Sequence, residues 1–348
     1  MSFIGIVTLY DSPNCGSKLQ AYALSYTIES LGLNVCFLKT GARRPFVNKG
    51  KTACKYFLQR NFRKSLFYFK HIFAFFRSKF KFRVTNLDSF NLADKIVLGS
   101  DEIWNVARKD IASFPVFWGK SLIPSKISYA PSVHQSSEQD FERANCYNEM
   151  HSLDAISVRD RHSQQVLSNF LHKEISLVCD PTMLITKDSW IALEKECPET
   201  EDFILLYCFA YQITDEDTRK IKNFANEKKL KLISVADYLP FADKNIPLNP
   251  EEFIGYVHKA NYVVASTFHG TCFSLIYKKK FVVVSRNSPK VEDLLSQFKA
   301  SHLNIAQQES ISDLIERDSD QPQRSNMLSA MRESSLAWLK SNIMRGIK

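Results

Sequence analysis

The sequence predicts an α/β fold built on parallel sheets and divided into two domains. Short continuous apolar runs, typical of strands buried on both faces, alternate with segments of helical periodicity. A length of 348 residues is long for a single hydrophobic core, which favours two domains. The apolar content of 45% and the charged content of 24% are those of an ordinary globular protein.

The first domain begins with a strand, a helix and a second strand. The apolar run 3–9 predicts the first strand, and an apolar stripe up to residue 31 predicts a helix with Ser17 as its N-cap. Residues 34–38 then predict the second strand. Gly16 is the only glycine in the turn that leads into the helix, whereas a dinucleotide-binding loop needs several spaced glycines. We therefore do not expect a nicotinamide site.

Four further strands are predicted in the first domain, and each ends in polar residues. The strands are 96–98, 126–130, 155–158 and 177–179, and the residues that follow them begin at Gly99, Pro131, Arg159 and Asp180. In open α/β sheets the carboxyl ends of parallel strands share one edge, and ligands bind there. The repeated polar endings therefore predict a cleft at that edge.

The alternation restarts near residue 203 and predicts a second domain. Its strands are 203–209, 231–235, 262–265 and 281–285, and its helices are 215–228 and 250–258. The predicted connection between the domains is 187–202, which contains Pro198. The predicted boundaries are 1–185 for the first domain, 200–320 for the second, and 324–347 for a terminal helix that crosses back.

The most informative stretch follows the strand at 262–265, where Thr267, His269 and Gly270 begin a predicted helix. The N–H groups and the positive dipole end of a helix N-terminus favour a bound anion. A histidine there can donate to that anion and transfer a proton near neutral pH. Gly270 is expected to let the backbone turn closely. The alternative is that His269 only packs at the start of the helix.

The net charge of +9 comes from one segment. From Arg43 to Arg83 there are 13 Lys and Arg residues and no Asp or Glu. Apolar residues recur there at steps of three or four, and this helical stripe consists of Leu58, Phe62, Leu66, Phe69, Phe73, Phe76 and Phe80. Two interpretations of this helical insertion, at about 43–86, stay open. It contacts an anionic membrane surface, or it packs its stripe on the core and leaves a basic face in water. Nucleic acid is not expected as a partner, because no binding module accompanies the charge.

Composition also predicts the compartment. The eight cysteines include no CxxC pair, and several lie in apolar strand-like runs, which indicates buried free thiols in a reducing compartment. No apolar run approaches the roughly 20 residues of a membrane span, and the N-terminus enters a strand directly. We therefore expect a cytoplasmic protein, peripheral on the inner face of the membrane if the basic segment docks there. The eight histidines are dispersed, and no metal site is expected.

Several short motifs follow one another along the chain, and their order is informative. They are Asn14-Cys15-Gly16 with 19–24, then 99–105, 128–130, 157–160, 180–181, and 268–270 with 273–274. In this order they resemble the polysaccharide pyruvyl transferase family, over most of the chain. The chain departs from the family pattern at Cys15, where an aromatic residue is common, and at Pro131 and His134. The basic segment looks like an insertion.

The resemblance implies two Rossmann-like domains arranged as in GT-B glycosyltransferases, with the site in the cleft between them. It also implies phosphoenolpyruvate as the donor substrate, with no cofactor, and a saccharide acceptor, either free or linked to a lipid. The product would be a pyruvate ketal on two sugar hydroxyls, formed with release of phosphate in polysaccharide biosynthesis.

Three residues suit this chemistry as catalytic groups. Arg159 can hold a carboxylate or phosphate with two hydrogen bonds, unless an ion pair with a neighbour occupies it. His269 can stabilise the phosphate or supply its proton, and Asp101 can act as base on the attacking hydroxyl unless it only caps a helix. The residues predicted to contact donor or sugar are Asn14, Gly16, Gln20, Ser100, Trp104, Asn105, Ser132, Thr267 and Gly270. Trp104 either stacks on a sugar or packs between the domains.

Two other functions remain open at this point. A nucleotide-sugar glycosyltransferase of the same architecture would use UDP-sugars, which would then stabilise the protein on heating. A non-catalytic scaffold would bind lipid-linked glycans at the membrane through the basic segment. The pair Arg159 and His269 argues against the scaffold, because a scaffold has no need of a paired anion site.

Overall fold

The computed structural model describes residues 2–39, 45–306, 310–318 and 321–346, and it confirms the predicted α/β fold. The first sheet has five parallel strands, which are β1 (Ile4–Val7), β2 (Val35–Leu38), β3 (Val84–Thr85), β4 (Lys95–Leu98) and β5 (Lys126–Ser128). Their spatial order is β3-β2-β1-β4-β5. A short parallel pair follows, β6 (Ser157–Val158) and β7 (Ser176–Leu177), and an isolated bridge between Ile127 and Ala155 links it to β5.

The second sheet repeats the topology of the first. Its five parallel strands are β8 (Phe203–Tyr207), β9 (Lys231–Ser234), β10 (Lys244–Asn245), β11 (Tyr262–Ala265) and β12 (Lys280–Val283). Their spatial order is β10-β9-β8-β11-β12. In each sheet the strand order reverses beside the first strand, between β1 and β4 and between β8 and β11. Ligands bind at the carboxyl end of such a switch point.

Helices connect the strands. In the first part of the chain they are α1 (Cys15–Glu29), α2 (Pro45–Leu58), α3 (Phe62–Phe76), α4 (Leu87–Phe90), α5 (Lys109–Ala112), α6 (Glu138–Ala144), α7 (Tyr147–His151), α8 (Arg161–Leu171), α9 (Pro181–Leu184) and α10 (Lys187–Ile191). In the second part they are α11 (Asp215–Lys228), α12 (Pro250–Lys259), α13 (Phe268–Ile276), α14 (Pro289–Gln297), α15 (Ile311–Glu316) and α16 (Gln321–Met344). Short 3-10 helices lie at Pro115–Trp118, Ala210–Gln212 and Ser301–Leu303.

The strongest local patterns give the best agreement with the structure. The predicted strand at 262–265 and the predicted helix at 215–228 have the observed bounds of β11 and α11. The predicted N-cap of the first helix is wrong. Asn14 caps α1, because its side chain accepts the Ser17 N–H at 3.2 Å. Ser17 lies inside the helix, and its hydroxyl is therefore not needed as a cap and is free to donate to a carboxylate outside the helix.

The basic insertion is a hairpin of two helices, α2 and α3, rather than one helix. The turn between them contains Arg60 in the left-handed conformation (φ 60°). The interpretation that the predicted stripe packs on the core is wrong, except for Phe80, because Leu66 and Phe73 are exposed while Phe67 and Phe75 are buried. Arg43 and Arg44 lie outside the described residues. No helix in the described ranges is long and apolar enough to span a membrane.

The terminal helix α16 contacts both parts of the chain. At its start Arg324 Nε donates to the Phe298 carbonyl oxygen at 3.0 Å. Near its end Trp338 Nε1 donates to Ser176 Oγ at 2.9 Å, and Lys95 Nζ donates to the Asn342 carbonyl oxygen at 2.9 Å. The domain boundaries 1–185, 200–320 and 324–347 stay a prediction. Residues 1, 40–44, 307–309, 319–320 and 347–348 lie outside the described part of the chain.

Two helical glycines give a test of the packing. A Cβ built on Gly255 of α12 would lie 1.9 Å from the Lys195 carbonyl oxygen, whereas one on Gly50 of α2 would meet only Ile72 Cδ1 at 4.0 Å. Gly255→Ala should therefore lower the free energy of unfolding by about 1–3 kcal/mol, because backbone cannot yield as a side chain does. The matched Gly50→Ala should raise it by up to about 1 kcal/mol through helix propensity. Urea unfolding measures both, and equal effects would contradict the packing of α12.

Candidate active site

A cavity of about 810 Å³ lies where the carboxyl edges of the two sheets meet. Residues that follow a strand of each sheet line it, among them Leu9 after β1, Asp101 after β4, Tyr207 at the end of β8, Ser266 after β11 and Val284 after β12. Both switch points therefore face the same space. The cleft that the polar strand endings predicted is present in this place.

His269 enters the cavity from the first turn of α13. The helix is capped by Thr267, whose hydroxyl accepts the Gly270 N–H at 3.0 Å. The imidazole lies against Gly16 of α1, since a Cβ on Gly16 would be 2.3 Å from His269 Nδ1. Gly16 thus permits the close approach of the two halves. Gly270 has a similar role rather than the predicted turn, because its own Cβ would lie 2.8 Å from Tyr207 Cδ1.

A buried carboxylate, Asp180, contacts charged and polar side chains beneath the cavity. Its Oδ2 accepts a hydrogen bond from Arg159 Nη1 at 2.8 Å and lies 3.5 Å from His269 Nε2. Its Oδ1 accepts the Thr182 N–H at 3.0 Å as the cap of α9. The side chains of Asp180 and Arg159 are both 0% exposed. Burial alone would raise the pKa of Asp180, but His269, Arg159 and the Thr182 N–H together hold that pKa well below its usual value.

Arg159 has unused hydrogen-bonding capacity. Its guanidinium carbon lies 4.2 Å from the centre of the Phe268 ring, and Nη2 lies 3.5 Å from Asp101 Oδ1. In the part of the chain that the structure describes, Arg159 Nε and Nη2 and His269 Nε2 have no hydrogen-bond partner. Buried donors without a hydrogen-bonded acceptor are costly, so Arg159 Nε and Nη2 are suited to meet the oxygens of an anion, whereas His269 Nε2 faces Asp180 Oδ2 at 3.5 Å.

Asp101 lies between this buried cluster and the cavity. Its backbone adopts the left-handed conformation (φ 71°), which residues other than glycine rarely adopt. The Ser17 hydroxyl donates to Asp101 Oδ2 at 2.7 Å, and the Glu102 N–H donates to Oδ1 at 2.9 Å. Burial favours a raised pKa, yet Arg159, His269 and Ser17 lower the pKa of Asp101 below its usual value. Asp101 is therefore an anion at neutral pH.

Further cations that the sequence analysis did not single out line the same cavity. Lys290, at the start of α14, forms an ion pair with Glu102. Burial lowers the pKa of Lys290 to about 8, and the nearby Asp101 carboxylate offsets part of that shift. Arg286 holds Asp217 with two hydrogen bonds of 2.7 and 2.9 Å. The sequence could have predicted these residues, because they follow the strand 281–285, whose carboxyl end lies at the same edge of the sheet as the other polar strand endings.

His134 is another lining residue, on the loop that follows β5. Burial, Arg159 and Arg108 lower its pKa below the usual histidine value. The imidazole is therefore neutral at pH 7, and it can accept a proton. The sequence marked His134 only as a departure from the family pattern.

The family relationship follows from the sequence as a whole. The sequence pattern of the polysaccharide pyruvyl transferase family matches residues 14–288, which is most of the chain. The chain belongs to this family. A comparison with curated protein sequences finds no match.

Solved structures share the fold of this pyruvyl transferase family member. UDP-GlcNAc 2-epimerase from Methanocaldococcus jannaschii has a TM-score of 0.52 and 11% identity, over 86% of this chain and 88% of that chain. S. aureus MnaA with UDP has a TM-score of 0.52 and 10% identity, over 96% and 92%. Arabidopsis thaliana UGT89C1 with UDP has a TM-score of 0.50 and 12% identity, over 97% and 95%. At such identities the likeness shows the fold alone, which is the predicted GT-B-like arrangement.

The cavity brings together only part of the predicted site. Of the predicted residues, the lining of the cavity includes Asp101, Arg159, His269, Asn14 and Thr267. The others, except the glycines described above, are buried and do not line it, and they are Gln20, Ser100, Trp104, Asn105 and Ser132. Trp104 donates its indole N–H to the Phe117 carbonyl oxygen at 2.8 Å and has no exposed ring face on which a sugar could stack. It packs within the core around the first sheet, not between the domains.

Three of these buried residues, Gln20, Ser100 and Ser132, hold the loops that carry the lining residues. Gln20 Nε2 donates to Thr8 Oγ1 at 3.0 Å, and Ser100 Oγ donates to the Ala130 carbonyl oxygen at 2.9 Å. Ser132 Oγ accepts the His134 N–H at 3.2 Å. Their role in this structure is to position the loops. Among the described residues, no group of three or more His, Cys, Asp or Glu side chains is placed to hold a metal ion.

The buried pair of Asp180 and Arg159 predicts how the stability of the protein depends on pH. Because the folded pKa of Asp180 is lowered, its contribution is present above the unfolded value of about 3.9 and is lost as the pH falls below it. Asp180→Asn should cost about 3 kcal/mol at neutral pH, since Arg159 loses its counter-charge. The variant should also lose less stability than the native chain in acid. Urea unfolding between about pH 7 and pH 3 tests this. The exposed Asp188→Asn is the control, and an Asp180→Asn profile like that of the control would contradict the pairing.

Proposed function

We propose that this family member transfers the enolpyruvyl group of phosphoenolpyruvate onto two hydroxyls of a saccharide, where it forms a pyruvate ketal. The main support is that His269, Arg159 and Asp101 meet at one cavity between two sheets. The proposed acceptor is a lipid-linked saccharide of polysaccharide biosynthesis, presented on the cytoplasmic side of an anionic membrane.

The proposed reaction balances without a cofactor. The first sugar hydroxyl adds to C2 of phosphoenolpyruvate and loses its proton, while C3 gains one proton and becomes the methyl group, so this step takes up no net proton. The second hydroxyl then attacks C2, and the bond from C2 to the phosphate oxygen breaks. Two carbon–oxygen bonds form to the sugar, one breaks, and phosphate leaves with the proton of the second hydroxyl.

The charges around the cavity suit a donor with a carboxylate and a phosphate. Four cationic side chains, Arg108, Arg159, Arg286 and Lys290, line it, against the two carboxylates of Asp101 and Glu102. Arg159 is fully buried and already paired with Asp180. Only its Nε and Nη2 atoms are therefore left to contact phosphoenolpyruvate, whereas the sequence suggested a guanidinium without an ion-pair partner. The N-terminus of α13 adds N–H groups and its positive dipole end.

Proton transfer is assigned to groups at the floor of the cavity. His269 lines the cavity with Nε2 at 3.5 Å from Asp180 Oδ2, and its imidazole suits the delivery of a proton to the departing phosphate. Asp101 is a weak base because its pKa is lowered, and it suits the orientation of an acceptor hydroxyl. His134 is neutral at pH 7 and suits the removal of a hydroxyl proton. We therefore assign the base role to His134 or Asp101.

Tyr211 takes the role that the sequence analysis gave to Trp104. It lines the cavity and is 83% exposed, and its ring stacks on Phe209 with 5.8 Å between the ring centres. An exposed and supported aromatic face is what a sugar ring needs for stacking. We infer that Tyr211 contacts the acceptor at the rim.

Two variants test the roles of the buried cluster. Arg159→Lys keeps a positive charge near Asp180 but loses the planar fork, and His269→Gln loses the transferable proton. Each should lower turnover by about 100-fold to 1000-fold with a smaller change in melting temperature. The measurement is phosphate release from phosphoenolpyruvate in the presence of a panel of soluble and lipid-linked saccharides.

The matched control for this test is His258→Gln. His258 Nδ1 pairs with Glu194 at 2.8 Å, and neither residue lines the cavity. Its turnover should stay near that of the native chain. Near-native turnover in His269→Gln would refute the assigned role. Stabilisation on heating by UDP-sugars and not by phosphoenolpyruvate would favour a glycosyltransferase instead.

Lys290 predicts the pH dependence of donor binding. Its ammonium carries charge below its pKa of about 8 and loses it above that pH. The donor phosphate is already ionised there, so the KM for phosphoenolpyruvate should rise by about tenfold as the pH passes from 7 to 9.5. In Lys290→Arg the cation persists, and the rise should disappear. The same rise in both proteins would show that Lys290 does not contact the donor.

A further inference from the structure

The α2–α3 hairpin carries a large exposed apolar surface. We call it the aromatic face, and it consists of Val47, Phe57, Leu58, Phe62, Leu66, Phe69, Phe73 and Phe76. Their exposed fractions run from 37% for Phe69 to 81% for Leu58. Scattered apolar side chains are normal on a surface, but so many large ones gathered on one hairpin mark an interaction site.

The opposite side of the hairpin is fixed to the rest of the molecule. Ala53, Phe67 and Tyr68 are buried there and pack against Tyr238. The Tyr68 hydroxyl donates to Asp237, and the Lys79 N–H donates to Glu251 Oε1 at 2.7 Å. Because this side makes specific polar and apolar contacts, the aromatic face is directed outward by the packing of the hairpin and is not a core surface left uncovered.

The charges beside the aromatic face have one sign. Arg63, Lys70, Arg77 and Lys81 are exposed along one edge of α3 and its continuation. The segment from Arg43 to Arg83 contains no acidic residue, although the rest of the chain has more acidic than basic residues. Aromatic side chains bordered by Lys and Arg are the composition of elements that lie in the headgroup region of an anionic bilayer.

The hairpin lies beside the cavity. Asp237, which accepts from Tyr68, also accepts the Ala210 N–H at 3.0 Å, and Ala210 begins the turn that carries Tyr211 into the lining. On the other side Lys49 Nζ donates to the Pro13 carbonyl oxygen at 3.4 Å, next to Asn14 of the lining. A membrane surface or partner that binds the hairpin would therefore lie close to the place where the acceptor would enter the cavity.

We propose that the aromatic face docks on an anionic phospholipid bilayer, with its aromatic rings in the headgroup region and its cations on the lipid phosphates. A second copy of the chain fits less well, because a symmetric contact would bring the like charges of two hairpins together. The bilayer binding does not depend on pyruvyl transfer. Only the assignment of a lipid-linked saccharide as the substrate of the membrane-bound protein rests on the proposed function.

The test is sedimentation of the full chain with vesicles. Binding to phosphatidylcholine vesicles should be weak, should rise with phosphatidylglycerol content, and should fall at about 0.5 M salt. Replacement of Arg63, Lys70, Arg77 and Lys81 by Glu should lower the partition coefficient by about 100-fold or more. The control is the same charge change at the exposed Lys120, Lys222, Lys280 and Lys340, which should have a much smaller effect.

A second variant separates insertion from charge. Leu66→Ser, Phe69→Ser and Phe73→Ser together should lower binding about tenfold or more while the melting temperature stays unchanged, because these side chains are exposed. Leu92→Ser with Ile123→Ser, also exposed but outside the hairpin, is the control. Phosphate release with a soluble saccharide should be the same in all four variants, so failure of docking and failure of the proposed reaction are read separately.

Three outcomes would overturn the proposal. One is the absence of binding to phosphatidylglycerol vesicles. Another is an equal loss of binding in the hairpin variants and their controls. The third is a dimer in analytical ultracentrifugation that the triple Ser variant abolishes, without vesicle binding, which would assign the aromatic face to a second copy.

Discussion

The site depends on one buried carboxylate, Asp180. It accepts a hydrogen bond from Arg159 and lies beside His269, which comes from the second sheet, so the two halves of the molecule converge on a single anion. Burying a guanidinium is unfavourable unless its partners are well placed, and here a 2.8 Å bond and the Phe268 ring provide that placement. The relative position of the two sheets is therefore coupled to the electrostatics of the cavity floor.

The repeated topology explains why this floor has so many donors. Each sheet has its switch point beside its first strand, and the two switch points face each other across the cavity. Gly16 and His269 meet across that boundary at a separation that tolerates no side chain on Gly16. Helix N-termini and buried cations are thus brought to a common space by this fold.

Basic charge has two separate places in this protein. The cations of the cavity are largely paired with carboxylates, as Arg286 is with Asp217, which keeps them oriented for a small anionic ligand. Arg63, Lys70, Arg77 and Lys81 lie in a segment without acidic residues, and they stay exposed beside the aromatic face. Oriented and paired charge favours specific recognition, whereas unpaired surface charge favours association with an extended anionic surface.

The sequence by itself determined the α/β class, the repeated strand–helix units and the edge where the site lies. Local patterns carry that information, and the bounds of β11 and α11 agree with it to the residue. It also placed His269, Arg159 and Asp101 at strand ends. Only the tertiary structure decided which polar residues reach the cavity, as Trp104 and Lys290 illustrate, and which face of the hairpin is covered. A periodic pattern shows which side chains share a face, but the partner of that face comes from residues far away in the chain.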